Sequence, residues 1–440
     1  MTHSSDRKLW RLRLPPPLRE GERKGFAWSF VDQGISSATN FGLSVLAGQL
    51  LGPTGLGTVA IAFSIYTVAL VLQRSLLTSI LLAFTSALGP TDRARTARIG
   101  LTLSLVSGGT CTVVALLLGL VLSGFGRTVL FLIAPWLIVL LLQDYWRSLL
   151  FREKRGGAAA VNDGIWLACM VAALPLAVMF KTEWAVVSVW GLGALAGAAV
   201  GLLQVRVSPS PLLASFTWWH KEGWPFARWS ASAAIVVNLG GTAARLVVAG
   251  ILGASAVGGL RAVEALFAPL TLIGPALNLS GLPAVARAFR RGFRQARNMA
   301  VAVSGIAVSA VLLYFGFLSL GGWRLLPLLF GQSFDAYRNL MLPVALGQLF
   351  TSTGIGLGLL ITVQRRGKFL LLSRLVAVSI GIVIVAIGAI EYGLLGATWA
   401  SSIASLILAL TVAIAAIREP RRDHTSATAI DSDATTQSDP

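Results

Sequence analysis

Long apolar runs separated by short loops constrain this chain more than any other feature. An α-helix needs about 20 mainly apolar residues to cross the hydrocarbon core of a bilayer. The chain is 55% hydrophobic and only 12% charged, against roughly 25% charged residues in a soluble domain. We therefore predict about twelve transmembrane helices, of which the fifth is the weakest because it begins with Asn162 and Asp163. The predicted spans are 26–51, 57–84, 99–123, 128–150, 160–180, 184–205, 227–252, 258–282, 299–321, 339–363, 369–390 and 393–417.

Positive charges fall in alternate loops. The N-terminal segment and every second loop after it are rich in Arg and Lys, whereas the opposite loops offer only Arg127, Lys181, Arg324 and Arg338. Short loops rich in Lys and Arg stay on the cytoplasmic side. An even number of spans then places both termini in the cytoplasm of a bacterium, with the chain in the inner membrane. The net charge of +18 is therefore explained by topology and does not indicate nucleic-acid binding.

The spans divide into two groups of six around a longer cytoplasmic connection. That connection carries Trp218, Trp219 and Trp224 beside Lys221, which predicts a short amphipathic helix lying in the membrane interface. The predicted organisation is a basic cytoplasmic arm (1–25), an N-terminal six-helix bundle (26–205), a cytoplasmic linker with the amphipathic segment (206–226), a C-terminal six-helix bundle (227–417) and a disordered cytoplasmic tail (418–440).

An internal repeat relates the two groups. The aligned segments are LAGQLLGPTGLGT at 46–58 and VVAGILGASAVGG at 247–259. Gly52 aligns with Gly253 and Gly57 with Gly258, at a constant spacing of 201 residues. Because this spacing covers an even number of spans, the halves are parallel repeats about an axis along the membrane normal, as in many transporters. The alternative is a chance recurrence of Leu-Gly pairs in a glycine-rich chain.

Several charged and polar side chains fall inside the spans, where such groups normally face the protein interior or a water-filled cavity. Arg74, Arg245 and Arg261 are candidates to bind an anionic headgroup, because a guanidinium keeps its charge and offers a fork of donors to phosphate oxygens. Asp32 either carries a coupling H+ or Na+ or pairs with an arginine across the cavity, and pairing is favoured. The other polar candidates for the cavity or the coupling ion are Gln33, Asn40, Asn238 and Glu264.

Some of these charges also have a purely structural interpretation. Arg261 and Glu264 are three residues apart and are able to pair on one helix face. Asp144 and Arg147 have the same spacing, and for them a structural role is favoured. Arg374 is able to extend its side chain to the cytoplasmic interface.

Glycine patterns predict close helix packing in two spans. Gly193, Gly197 and Gly201 repeat every four residues in the sixth span, and Gly354 and Gly358 do so in the tenth. Small residues at this spacing let two membrane helices approach closely.

Motifs typical of enzymes and nucleotide-driven pumps are missing from the sequence. It contains no GxxxxGK[ST] phosphate-binding loop and no Cys/His cluster suited to zinc. The three histidines, His3, His220 and His424, lie outside the predicted spans. A membrane glycosyltransferase or ligase would need a carboxylate or histidine site beneath a substantial loop, and the outer loops are predicted to be very short. We expect no enzyme and no cofactor beyond a coupling ion.

Three stretches resemble a known family. They are LAGQLLGPTGLGTVAIAFSIY at 46–66, FREKRGG at 151–157 and LLPLLFGQSFDAY at 325–337. They are similar to Wzx-type flippases of O-antigen and exopolysaccharide precursors. That family belongs to the multidrug/oligosaccharidyl-lipid/polysaccharide exporter superfamily, together with multidrug and toxic compound extrusion transporters and lipid II flippases.

The resemblance implies a fold and a function. It implies two six-helix bundles around a central cavity, lined mainly by spans one, two, seven and eight, and transport by alternating access. The implied substrate is an undecaprenyl-diphosphate-linked oligosaccharide for cell-surface polysaccharide, and the implied partners are a polymerase and a chain-length regulator. The main alternative is a cation-coupled multidrug antiporter, which would require an acidic cavity, whereas arginines outnumber acids in these spans. A membrane glycosyltransferase or ligase and a non-transporting scaffold protein are less favoured.

Overall fold

The computed structural model of the chain describes residues 20–81, 90–364 and 366–417. Within these ranges the chain consists of α-helices, short 3-10 and π-helical turns and connecting loops, with no β-strand. The chain is thus an all-α polytopic membrane protein, as predicted. Most of the predicted basic arm and the whole C-terminal tail lie outside the described residues, and so does the side chain of Asn238.

Nine helical stretches of the described chain are long and apolar enough to cross a bilayer. Two of them, Val31–Leu81 and Leu371–Ala416, contain 51 and 46 residues, about twice the length that one crossing needs. The α-helices are α1 (Glu20–Gln73), α2 (Pro90–Val121), α3 (Gly124–Arg152), α4 (Gly156–Phe180), α5 (Glu183–Val205), α6 (Leu212–Trp218), α7 (Trp224–Leu252), α8 (Ala254–Leu266), α9 (Ile273–Arg291), α10 (Phe293–Ser319), α11 (Leu325–Phe330), α12 (Met341–Val363) and α13 (Gly367–Ile417).

Both α1 and α13 consist of two helical limbs joined at a glycine. Gly52 in α1 (φ 67°, ψ −167°) and Gly393 in α13 (φ 61°, ψ −151°) adopt a backbone conformation essentially limited to glycine. Gly253, between α7 and α8, has nearly the same conformation (φ 82°, ψ 179°). A Cβ atom on Gly388 would lie 2.6 Å from the carbonyl oxygen of Gly396, although eight residues of straight helix would separate them by about 12 Å. The chain therefore reverses within α13, which supplies two of the predicted spans.

The two halves of the chain meet through a reciprocal glycine contact. A Cβ atom on Gly57 would collide with the carbonyl oxygen of Ala254, and a Cβ atom on Gly258 would collide with that of Pro53. Gly57 and Gly258 are 201 residues apart, and so are Pro53 and Ala254. Each glycine therefore contacts the residue equivalent to the one that its counterpart contacts, which is the contact pattern of a two-fold axis. This reciprocity confirms the repeat predicted from the sequence.

Residues 322–340, which we call the outer segment, pack against the first limb of α1. They comprise two 3-10 turns, Gly322–Arg324 and Gln332–Leu340, on either side of α11. Gln49 Nε2 donates to the carbonyl oxygens of Leu328, at 3.2 Å, and Leu329, at 2.8 Å. Phe330 is fully buried against Gly48. The outer connection is therefore more structured than the predicted short loops.

The apolar core joins the two halves at one end of the molecule and divides toward the other. We name these the outer end and the cytoplasmic end, following the orientation predicted from the loop charges. One large cluster includes Trp190 from the N-terminal half and Phe267 and Phe330 from the C-terminal half. Toward the cytoplasmic end, one separate cluster surrounds Trp146 and another surrounds Leu360. Apolar packing between the halves is thus concentrated at the outer end, which is closed.

The two glycine stripes differ in their surroundings. Gly193, Gly197 and Gly201 on α5 pack against side chains from α3 and α4, so the first packing prediction is confirmed. A Cβ atom on Gly354 or Gly358 would meet no atom of the described residues within 4 Å. The second packing prediction is wrong, because this face of α12 lines a cavity and does not contact a neighbouring helix.

Candidate functional site

Charged side chains from three helices and an adjoining turn meet inside the N-terminal half. Asp32 lies on the first limb of α1, Asp144 and Arg147 lie on α3, and Asp163 lies on α4. Arg74 is the first residue of the π-helical turn Arg74–Thr78 that follows α1, a type of distortion often found at functional sites. Three carboxylates thus face two guanidiniums, so the group, which we call the N-half cluster, has a formal excess of negative charge.

Arg147 holds two carboxylates together. Its Nε donates to Asp32 Oδ2 at 2.8 Å and lies 3.5 Å from Asp163 Oδ2, while its Nη2 also contacts Asp32. The Asp32 and Asp163 side chains are only 1% and 6% exposed. Asp32 Oδ1 has no hydrogen-bond partner among the residues that the structure describes. Of the two interpretations of Asp32, the favoured ion pair is formed.

Arg74 forms a bidentate pair with Asp144. Its Nε lies 3.1 and 3.0 Å from the two carboxylate oxygens, and its Nη2 also donates to Oδ1. Asp144 is 3% exposed, whereas 44% of the Arg74 side chain is exposed. The predicted structural pairing of Asp144 with Arg147 is wrong, because both side chains find partners on other segments.

Amide side chains hold the N-half cluster in place. Gln143 Nε2 donates to Asp163 Oδ1 at 2.8 Å and to Asn162 Oδ1 at 3.1 Å. Asn162 Nδ2 donates in turn to the Gly197 carbonyl oxygen at 2.8 Å and to Gln204 Oε1 at 3.2 Å. Asp163 was not among the sequence-predicted site residues. The feature of the sequence that points to Asp163 is the polar pair Asn162 and Asp163 at the start of the fifth predicted span. Hydropathy alone treats this pair as a weakness of the span.

Four members of the N-half cluster, all except Asp32, line a cavity of about 170 Å³, which is also lined by Gln33 and Asn40. Phe63, Tyr66 and Trp190 form one wall, with ring centroids 5.2 to 5.9 Å apart. Pockets for drug-sized ligands are roughly 300–1,000 Å³. By this measure, the cavity has room for an ion with a few waters and is too small for an oligosaccharide.

Three charged residues of the C-terminal half lie on α7 and α8. Arg245 and Glu264 line a larger, mainly apolar cavity of about 390 Å³. Arg261 points instead toward α1, with its guanidinium carbon 5.6 Å from the ring centroid of Phe63. Arg245 and Arg261 form no ion pair or hydrogen bond with any described residue. The Arg261–Glu264 pairing considered from the sequence is therefore not formed, because the two side chains face different cavities.

The predicted anion-binding arginines thus fall into two environments. Arg74 lies in the acidic N-half cavity and is held by Asp144. Arg245 and Arg261 lie in the C-terminal half, where the charged group nearest to them of opposite sign is Glu264. The acidic excess and the basic excess therefore belong to different halves of the chain.

Comparison with known proteins identifies the fold. No protein-family profile matches the sequence, and no curated protein matches it. Among solved structures, the chain is similar to an inward-facing multidrug resistance transporter of the MATE family in the MOP superfamily, with 14% identity, 93% of this chain and 99% of that chain covered and a TM-score of 0.69. It is also similar to the lipid II flippase MurJ in an inward closed conformation (13% identity, 90% and 88% covered, TM-score 0.66) and to an outward-facing MATE transporter (14%, 90% and 93%, 0.59). The chain therefore has the fold of the MATE and MurJ transporters.

Proposed function

We propose that this protein is a flippase that moves a polyprenyl-diphosphate-linked oligosaccharide from the cytoplasmic to the outer leaflet of the bacterial inner membrane by alternating access. The observation that carries the proposal concerns two guanidiniums on helices that face the other half. Arg245 and Arg261 form no ion pair with any residue that the structure describes. A charged side chain near the bilayer centre costs a few kcal/mol. A diphosphate supplies the matching acceptor oxygens, so the substrate itself neutralises these side chains.

The architecture supports loading from the cytoplasm. The outer ends of the halves are closed by the Gly57–Gly258 contact and by the outer segment on Gln49. The apolar clusters are separate at the cytoplasmic end. A multidrug resistance transporter of the MATE family and the lipid II flippase MurJ share this fold.

The N-half cluster is the proposed site of the coupling H+ or Na+. Its carboxylates exceed its guanidiniums, and Asp32 Oδ1 is buried without a described hydrogen-bond partner. A single positive ion bound there would neutralise the excess negative charge. The cavity of about 170 Å³ fits a ligand of that size.

The test is the location of lipid-linked oligosaccharide after depletion of the protein. Intact spheroplasts are treated with a membrane-impermeant glycan label. We expect the glycolipid to accumulate and to stay unlabelled until the membrane is opened. Complementation with Arg245→Ala or Arg261→Ala is expected to leave this defect, whereas Arg127→Ala, at the outer end of α3, should restore export. Unchanged outer-leaflet labelling after depletion would overturn the proposal.

A multidrug antiporter is the second candidate, and one observation favours it. The acidic N-half cavity is walled by Phe63, Tyr66 and Trp190, and aromatic faces attract organic cations. If depleted cells label normally but become sensitive to cationic dyes, this candidate replaces the flippase. We expect dye sensitivity to be unchanged.

A further inference from the structure

The larger cavity of the C-terminal half continues into a second one. The cavity of about 390 Å³ beside Arg245 and an adjoining cavity of about 280 Å³ share Thr351, Ser405 and Leu408 in their walls. We call the two together the C-half channel. Along α13 it extends from Arg374 to Val385, a distance of about 16 Å at 1.5 Å per helical residue. It is therefore an elongated space that follows the helix axes.

The walls of the C-half channel are mainly apolar and partly formed by bare backbone. Ile355, Leu359 and Val412 contribute branched aliphatic side chains.

 Gly354 and Gly358 add no side chain, and a Cβ atom at either position would meet no atom of the described residues within 4 Å. The polar side chains in the walls, such as Asn278, Thr351 and Ser405, donate to carbonyl oxygens of their own helices. Such a space therefore accommodates a flexible hydrocarbon chain better than a sugar.

A guanidinium lies near each end of the C-half channel. Arg374 lies about 10 Å from the cytoplasmic start of α13, and it forms no ion pair or hydrogen bond with any described residue. Its side chain lines the channel, so it is not simply extended into the cytoplasmic interface. Arg245 lines the channel at the other end, together with Glu264. Mainly apolar walls, together with two arginines that form no ion pair with a described residue, are complementary to an anionic amphiphile.

We propose that the C-half channel binds the isoprenoid chain of a polyprenyl phosphate or diphosphate, and that Arg374 contacts the phosphate when the lipid enters from the cytoplasmic leaflet. This inference rests on the proposed function, and it adds the part of the substrate that the channel recognises. Apolar burial contributes about 25 cal/mol per Å² removed from water, so the hydrocarbon supplies much of the affinity. The arginine supplies selectivity for an anionic head.

The test measures binding of farnesyl diphosphate to the purified full-length protein by ligand-induced thermal stabilisation in detergent. Farnesol and inorganic diphosphate serve as probes of the two parts of the ligand. Gly358→Leu fills the channel, and Gly305→Leu is its matched control, because Gly305 is exposed on α10 and a Cβ atom there meets nothing within 4 Å. Arg374→Gln removes the charge, and Arg127→Gln is its control.

We expect farnesyl diphosphate to stabilise the wild type at concentrations at least tenfold lower than either partial probe does. Gly358→Leu should abolish that stabilisation, and Arg374→Gln should reduce the preference for farnesyl diphosphate over farnesol, with both controls unchanged. Normal binding by Gly358→Leu and Arg374→Gln would overturn the channel assignment while leaving the flippase proposal intact. No binding by the wild type, combined with normal outer-leaflet labelling in depleted cells, would overturn both.

Discussion

Replacing Arg147 with glutamine is expected to destabilise the fold far more than replacing its partner Asp32 with asparagine. Arg147 neutralises Asp32 and Asp163, whose side chains are 1% and 6% exposed. Without it, two buried carboxylates face each other. Asp32→Asn instead leaves Arg147 paired with Asp163 and removes the excess negative charge of the N-half cluster.

The magnitude follows from this geometry. Breaking a buried ion pair by removing one partner costs about 3–5 kcal/mol, and Arg147→Gln removes the shared partner of two carboxylates. We expect a loss of about 3–5 kcal/mol for Arg147→Gln and of about 1 kcal/mol for Asp32→Asn, the usual size of a lost hydrogen bond. The double variant, which removes one charge of each sign, should recover at least half of the larger loss.

Reversible unfolding of the purified protein by SDS in mixed micelles measures these differences. Arg127→Gln is the control, because Arg127 is exposed and donates to one carbonyl oxygen, that of Leu122, at 3.0 Å. Equal losses for Arg147→Gln and Asp32→Asn would refute the reasoning, as would a double variant no more stable than Arg147→Gln.

Three further changes test the outer end and the repeat. Gln49→Ala removes two hydrogen bonds to the outer segment, worth about 1–3 kcal/mol together, and should increase the labelling of a Leu329→Cys variant by an impermeant maleimide. Gly57→Val should abolish export by preventing outer closure, because its side chain would collide with the opposite half, whereas Gly305→Val should be active. Gly52→Ala should cost about 1–3 kcal/mol in SDS unfolding, because its φ of 67° is strained for any residue with a Cβ atom.

The membrane fold was predictable because its dominant signals are local. A span needs only about 20 apolar residues, and the turns at Gly52 and Gly253 are marked by the aligned Leu-Gly pairs. The outer segment was not predictable, because its helices are short and its packing depends on the other half. Phe330 is buried only because Gly48 leaves room for its ring.

The site was only half predictable, for a related reason. The cost of a charge in the membrane indicates that Asp32 and Arg74 face the protein interior, and both do. Spacing along one helix suggested a partner three residues away for Arg147. The actual partners are distant: Asp32 is 115 residues from Arg147, and Asp144 is 70 residues from Arg74. Only the assembled bundle decides such pairs.

The division of charge between the halves bears on the choice between the two candidate functions. A drug antiporter requires an acidic site large enough for an organic cation, yet the acidic cavity measures only about 170 Å³. The larger space, of about 390 Å³, contains Arg245 and Glu264, and the cavity that adjoins it adds Arg374, which leaves an excess of positive charge. Size and charge therefore agree, since the small acidic cavity suits an ion and the large cavity suits an anionic substrate. If this is correct, Asp32→Asn should keep the fold but lose the dependence of export on the H+ or Na+ gradient, whereas Arg245→Ala should lose export under every gradient.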